Sequence, residues 1–167
     1  KKVLKRTVII FLLGYLMYWF PFVTQNDAGE WIVKPFETTR VFGVLQRIAL
    51  CYGIASLVIH YLKIKGALWF SVIALILYRI ILYEFGDLTL EGNAGNKLDL
   101  WLLGEKHLYH GEGVAFDPEG LLSTLPATVN VIAGYVAGMF LQRNGKNYET
   151  IAKLLLVGAV LLVMASW

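Results

Sequence analysis

The chain has 167 residues, of which 57% are hydrophobic and 16% charged, with a formal net charge of +3. A typical soluble domain carries about 25% charged residues, so this composition and the mean hydropathy of +0.61 argue against an ordinary water-soluble globule. The small positive charge sits beside apolar runs and is no nucleic-acid footprint, and with a single cysteine, Cys51, no intrachain disulfide is possible.

Five apolar runs follow one another: Thr7–Val23, Phe42–Leu62, Ala67–Phe85, Leu121–Leu141 and Ile151–Trp167. Each is about 17–21 residues, close to the roughly 20 that carry a helix across about 30 Å of hydrocarbon. They predict an all-α, polytopic transmembrane bundle forming one domain over 1–167. The first run is preceded by Lys1, Lys2, Lys5 and Arg6. It lacks a small-residue cleavage site and reads as a span, not a signal peptide.

The first long loop, Thr24–Val41, leads into Thr38-Thr-Arg-Val-Phe-Gly-Val-Leu-Gln-Arg47. At helical spacing Arg40, Gly43 and Arg47 share a face, with Gln46 beside it. An arginine near a helix amino end is electrostatically unfavourable, and one two turns into a span costs on the order of 3 kcal/mol. Arg47 is therefore expected to pair with Asp117 or Glu119, or to meet an anionic ligand group. Arg79 in the third run can snorkel outward near Glu84.

The second and third runs are joined by a short basic turn, Lys63-Ile-Lys-Gly66. The second long loop, Gly86–Gly120, is too long to be a simple connector. Asn96 with Asp99 three residues later resembles a capping box, and Leu98, Trp101, Leu102, Leu108 and Tyr109 would share a face. A short interfacial helix is expected there. His107 and His110 stand three apart between Glu105 and Glu112. Such a pair can ligate a metal or supply a base, but no third ligand is placed, so no metal is expected. His110 is kept as a substrate-contacting candidate.

Asp117-Pro-Glu-Gly120 opens the fourth run. Asp117 suits a helix cap, Pro118 the first turn, and both acids the positive helix end. Asp117 and Glu119 also suit a polar cavity at the bundle mouth. Inside the run, Ser123, Thr124, Thr128 and Asn130 are polar, and Pro126 frees the carbonyl of Leu122. Gly134 and Gly138 form a small-xxx-small pair for close helix packing, and Asn130 suits an interhelical hydrogen bond. A second basic turn, Gln142–Asn147, precedes the last run.

Lys and Arg placement orients the whole. The amino end and both short turns are expected in the cytoplasm. The two long loops, which with the adjoining helix ends hold all the acids but Glu149, are expected outside. The chain opens on Lys and stops on Trp167 in an apolar run, so it reads as a segment of a larger protein. Candidate substrate-binding residues are Gln46, Arg47, His110, Asp117, Glu119 and Asn130. A transporter or flippase for a sugar-containing substrate is the alternative reading, because polar, interrupted helices and buried arginines also mark substrate pathways.

Phe42-Gly-Val-Leu-Gln-Arg-Ile-Ala-Leu-Cys-Tyr52 and Phe116-Asp-Pro-Glu-Gly-Leu-Leu-Ser-Thr-Leu-Pro-Ala127 resemble two signature stretches of the heparan-alpha-glucosaminide N-acetyltransferase family and its bacterial relatives. Lys2-Val-Leu-Lys-Arg-Thr7 with its apolar run resembles the opening of that family's third span. The resemblance implies a multi-pass protein, in bacteria of the inner membrane. It implies transfer of an acetyl or acyl group from cytoplasmic acetyl-CoA to an extracytoplasmic amino sugar, without a metal. The family's catalytic histidine lies on a loop after its first span. No residue here matches it, so this segment alone is expected to be inactive. The expected partners are membrane lipid, a sugar acceptor and a second copy through helix packing.

Overall fold

A computed structural model describes every residue except Asp27, Glu37, Thr38, Glu112, Lys146 and Trp167. The charges counted at Asp27, Glu37, Glu112 and Lys146, and the end of the last run at Trp167, lie outside the described residues. The chain is mostly helical. Helix α1 spans Lys2–Trp19, α2 Val44–Phe85, α3 Ala94–Leu103, α4 Leu121–Asn144 and α5 Tyr148–Ala165. Three of these, α2, α4 and α5, are long and apolar enough to cross a membrane. Helix α1 has the length, but its single 18-residue stretch holds Lys2, Lys5 and Arg6.

Helix α2 contains two expected runs. At Lys63 the backbone leaves the helical region (φ 57°, ψ −173°), in a left-handed conformation that non-glycine residues rarely adopt. The chain reverses there. Near one end of α4, Arg47 of the first arm reaches Ser123, and Tyr78 and Leu82 of the second arm line a cleft with that same Ser123. Further along α4, Ile132 packs on Ala55, Val58 and Ile59 of the first arm and Ala67 and Phe70 of the second. The two arms therefore run antiparallel with α4 laid along both.

The packing is inverted relative to a water-soluble protein. Buried positions are small or polar: Ala49, Cys51, Ala55, Ala67, Ser71, Ala74, Thr124 and Thr128. Large apolar side chains such as Leu57, Leu68, Ile73, Leu156 and Leu162 face outward. In water so broad an apolar surface drives aggregation, whereas hydrocarbon accepts it and helix contacts then depend on close approach of small residues. The buried hydroxyls of α4 are met along that helix: Thr124 Oγ1 donates to the Gly120 carbonyl at 3.1 Å, and Thr128 Oγ1 to that of Thr124 at 2.9 Å.

Close approach falls at glycines other than the expected pair. A Cβ at Gly14 would lie 2.7 Å from Gln46 Oε1, and one at Gly53 would lie 2.9 Å from Thr7 Oγ1. These two contacts bring α1 onto α2. At Gly134 and Gly138 a Cβ would meet nothing within 4 Å, so that pair packs no described helix. Asn130 is likewise exposed, without the interhelical bond expected of it. Helix α5 packs mainly on α4 and is exposed along nearly its whole length.

The first long loop adds a feature absent from the all-α reading, a hairpin of β1 (Val23–Gln25) and β2 (Trp31–Val33), antiparallel with Thr24 opposite Ile32. Trp19 Nε1 donates to the Lys34 carbonyl at 2.9 Å, and Lys34 Nζ to that of Tyr18 at 2.8 Å, tying the hairpin to the end of α1.

The second long loop carries α3, but with a different cap and a different inner face. Asn93, not Asn96, is the N-cap: its side chain accepts the Asn96 amide at 2.8 Å. The face turned inward is Ala94, Asn96 and Asp99, while Trp101 is 82% exposed and Leu102 51%. Helix α3 thus presents polar atoms to the protein and apolar ones outward, the orientation of a helix resting at a hydrocarbon boundary. Leu108 and Tyr109 lie past its end. Tyr109 instead pairs with Phe116 in a short bridge.

Candidate functional site

The charged residues of both long loops meet where α4 begins. Arg40 lies in an extended lead-in; α2 starts only at Val44, so Arg40 shares no helical face with Arg47. Its Nε donates to Asp117 Oδ2 at 3.0 Å and its Nη2 to Asp117 Oδ1 at 2.7 Å, a bidentate fork, and Nη2 also reaches Glu119 Oε2. The Asp117 side chain is fully buried, and those of Arg40 and Glu119 are 16% and 18% exposed. The guanidinium lies 5.2 Å from the Tyr18 ring centre and 5.0 Å from that of Tyr109, so two aromatic faces cover the cation. Burial works against the Arg40 charge, but the hydrogen bond and negative charge of Asp117 outweigh it, and its pKa lies above the ordinary arginine value.

This arrangement corrects the expected pairing. Arg47 meets neither Asp117 nor Glu119. It donates to two backbone carbonyls, Pro118 and Ser123, each at 3.2 Å. Fixed to the first turn of α4, it clamps α2 to the Asp-Pro-Glu-Gly segment. The cation that offsets the acids is Arg40, seven residues earlier.

Asp117 does not cap α4 either. Its carboxylate serves Arg40 and accepts the Glu119 amide at 3.0 Å. The first amide of α4, Leu121 N, donates 3.0 Å to Asp99 Oδ1, supplied from α3. Asp99 is 2% exposed. Gly120 makes this cap possible: a Cβ there would fall on Asp99 Oδ2. Burial pushes the Asp99 carboxyl up to about 6; the Leu121 amide pulls the other way, and the negative charge of Asp117 adds to the rise. The folded protein thus holds this proton more tightly than the unfolded chain. Asp99's contribution to stability is full below the ordinary aspartate range and is lost as pH rises through about 6. Asp99→Asn is expected to flatten this limb when the unfolding midpoint in detergent is followed from about pH 4 to 7. An unchanged pH profile would show that Asp99 titrates normally.

The histidines tie the loops together. His107 Nδ1 lies 2.8 Å from the Thr39 carbonyl, and Val41 N donates to the His107 carbonyl at 3.3 Å. His110 Nδ1 lies 3.0 Å from the Leu108 carbonyl, and the residue is exposed, next in sequence to Tyr109, whose ring covers Arg40. Arg79 stacks over Tyr83 at 5.0 Å.

Of the six candidate residues, Asp117 and Glu119 join one cluster, Arg47 supports it through the backbone, and His110 makes only its local bond to Leu108 among the described residues. Gln46 points away, fully buried against Gly14 with neither amide atom hydrogen-bonded. Asn130 lies beyond Thr128 on α4 and takes no part. Arg40 and Asp99 were not among the six. Arg40 has a visible signal: with Lys34 it is one of two cations in a loop that also carries three acids, Asp27, Glu30 and Glu37. Asp99 has only its place among apolar neighbours.

A cleft of about 420 Å³ opens between α3, the second arm of α2 and the start of α4. Tyr78, Asn96, Asp99, Phe116, Asp117 and Ser123 are in its wall. Its size falls in the range of small-molecule sites. Compared with known protein families and curated proteins, the sequence matches none.

Proposed function

We propose that the chain is part of an integral membrane acyltransferase that moves an acetyl or acyl group from cytoplasmic acetyl-CoA to an extracytoplasmic amino sugar. All five apolar runs span the membrane in this reading, with the amino end in the cytoplasm and the Arg40 cluster on the far side; the setting is a bacterial inner membrane. The observation that carries it is the charged cluster built by the Asp-Pro-Glu-Gly segment, set beside a small-molecule cleft at the mouth of the helices. The motif resemblance supplies the reaction type. A sugar amine needs acceptors to orient it, and the acyl oxyanion needs donors. Asp99 in the cleft wall supplies the first; Asp117 and Glu119 hold Arg40, the donor proposed for the second. Arg47 acts through the backbone it holds.

The test uses the full-length protein in inverted vesicles, with radiolabelled acetyl-CoA outside and glucosamine enclosed. Labelled N-acetylated sugar inside supports the reading; passage of sugar without acylation favours the transporter alternative. Arg47→Ala and Asp117→Asn are expected to lower transfer about tenfold or more while insertion stays normal, because displacements of about 1 Å cost rates of that order and above. Unchanged turnover in both removes the cluster from the site.

A further inference from the structure

The cleft beneath α3 has a one-sided chemistry. Two carboxyl groups, Asp99 and Asp117, line it, and no Lys, Arg or His stands among the described residues of its wall. Both Asp117 oxygens are taken by Arg40. Asp99 uses Oδ1 for the Leu121 amide, and Oδ2 makes no hydrogen bond among the described residues. Asn96, in the same wall and 5% exposed, donates its Nδ2 to the Glu91 carbonyl at 3.3 Å, yet its Oδ1 has no partner among the described residues. A buried carbonyl oxygen without a donor is destabilising, and a ligand donor would recover that loss. The cleft thus offers acceptors and wants donors.

An ammonium group is the simplest ligand that meets this need, with three donors, a positive charge and no acceptor. A lone hydroxyl would bring one donor and leave the negative charge uncompensated. Tyr78 and Phe116 add aromatic surface beside the acceptors, suited to the carbon skeleton of the amine and to its charge.

We propose that this cleft is a binding site for a primary ammonium group, held by Asp99 Oδ2 and Asn96 Oδ1. The binding claim stands on the cleft alone. Its chemical meaning rests on the acyl-transfer reading above: Asp99 accepts one ammonium proton, giving a neutral amine and a neutral acid. The amine nitrogen then bonds to the acyl carbon of the thioester, the carbon–sulfur bond breaks, and the second nitrogen proton leaves with the thiolate as thiol. The burial that raises the Asp99 pKa suits it to that proton, and the groups around it are Tyr78 from α2, Asp117 from the loop and, behind Asp117, Arg40 and Glu119. Lys97, its neighbour on α3, is turned to the Phe85 carbonyl at 3.2 Å.

The experiment is calorimetric titration of the full-length protein in nanodiscs at pH 7 with glucosamine and, in parallel, glucose. Glucosamine should bind at least about tenfold more tightly than glucose. Asp99→Asn, which keeps an oxygen for the Leu121 amide, should weaken glucosamine about tenfold and leave glucose unchanged. Asn96→Leu, which deletes the second acceptor by another route, should weaken it several-fold, and Lys97→Ala should have no effect. Equal affinity for the two sugars, or glucosamine binding indifferent to both Asp99→Asn and Asn96→Leu, overturns the proposal. Because no acyl donor is present, binding without transfer in the vesicle assay would fault the enzymatic reading only, and transfer without Asp99-dependent binding would fault the cleft only.

Discussion

Arg40→Ala is expected to lower the unfolding midpoint of the full-length protein in detergent by about 5–10 °C and, on the acyl-transfer reading proposed above, to abolish that activity. The variant strands two carboxylates, one of them on a fully buried side chain, with no cation between them. Removing one partner of a buried, hydrogen-bonded pair costs about 3–5 kcal/mol, most of it the price of the charge left behind. For a chain of this size each kcal/mol moves the midpoint about 2–4 °C, and the partial exposure of Arg40 places the effect toward the lower end. Arg40→Lys should recover little, because an ammonium cannot make the two-pronged contact with Asp117. Asp117→Asn in the Arg40→Ala background should recover part of the loss, since it removes the buried charge that the first change exposed. A midpoint within 1–2 °C of wild type for Arg40→Ala, as an order of magnitude for an exposed pair, would show that the cluster is solvated and weak.

Gly120→Ala is the smallest change with a large expected effect. The new methyl would occupy the place of Asp99 Oδ2. Either Asp99 withdraws and the Leu121 amide loses its cap, or α3 lifts as a unit. Overpacking of this kind costs about 1–3 kcal/mol, and loss of a cap about 1 kcal/mol more. Hydrogen exchange at Leu121 and Leu122 should accelerate, and the unfolding midpoint should drop. Asp99→Ala vacates the contested space, so the double variant should be less damaged than the sum of the two single ones. Strict additivity would mean that the two residues do not meet. The glycine of the Asp-Pro-Glu-Gly motif is then required by a side chain from another element.

What the sequence revealed and what it hid divide along physical lines. The helices were legible because a run of apolar residues long enough for a bilayer has few other readings; both arms of α2, α4 and α5 fall where the runs placed them. The reversal at Lys63 was legible from its basic, glycine-bearing turn. The first run is displaced: α1 ends at Trp19, four residues before Val23, where the chain turns into the hairpin. Loop chemistry was harder. Arg40 and Arg47 looked equivalent by spacing, but spacing presumes a helix, and the helix begins between them. Asp99 looked like a local capping partner because capping is usually local, whereas here one helix caps another across 22 positions of sequence. Gly134 and Gly138 carried the motif for close packing, while Gly14 and Gly53, without a motif, do the packing. A small residue permits contact, but only its neighbours decide whether contact occurs.

In the membrane reading proposed above, the outward apolar face of α3 couples the lipid to the cleft. There the roof of the cleft rests on acyl chains through Trp101 and Leu102 while its underside grips the start of α4 through Asp99. Its height is therefore set partly by hydrocarbon thickness. A bilayer thicker or thinner than the native one would tilt that roof and pull on the Asp99–Leu121 bond, so that lipid composition tunes the pocket without touching it.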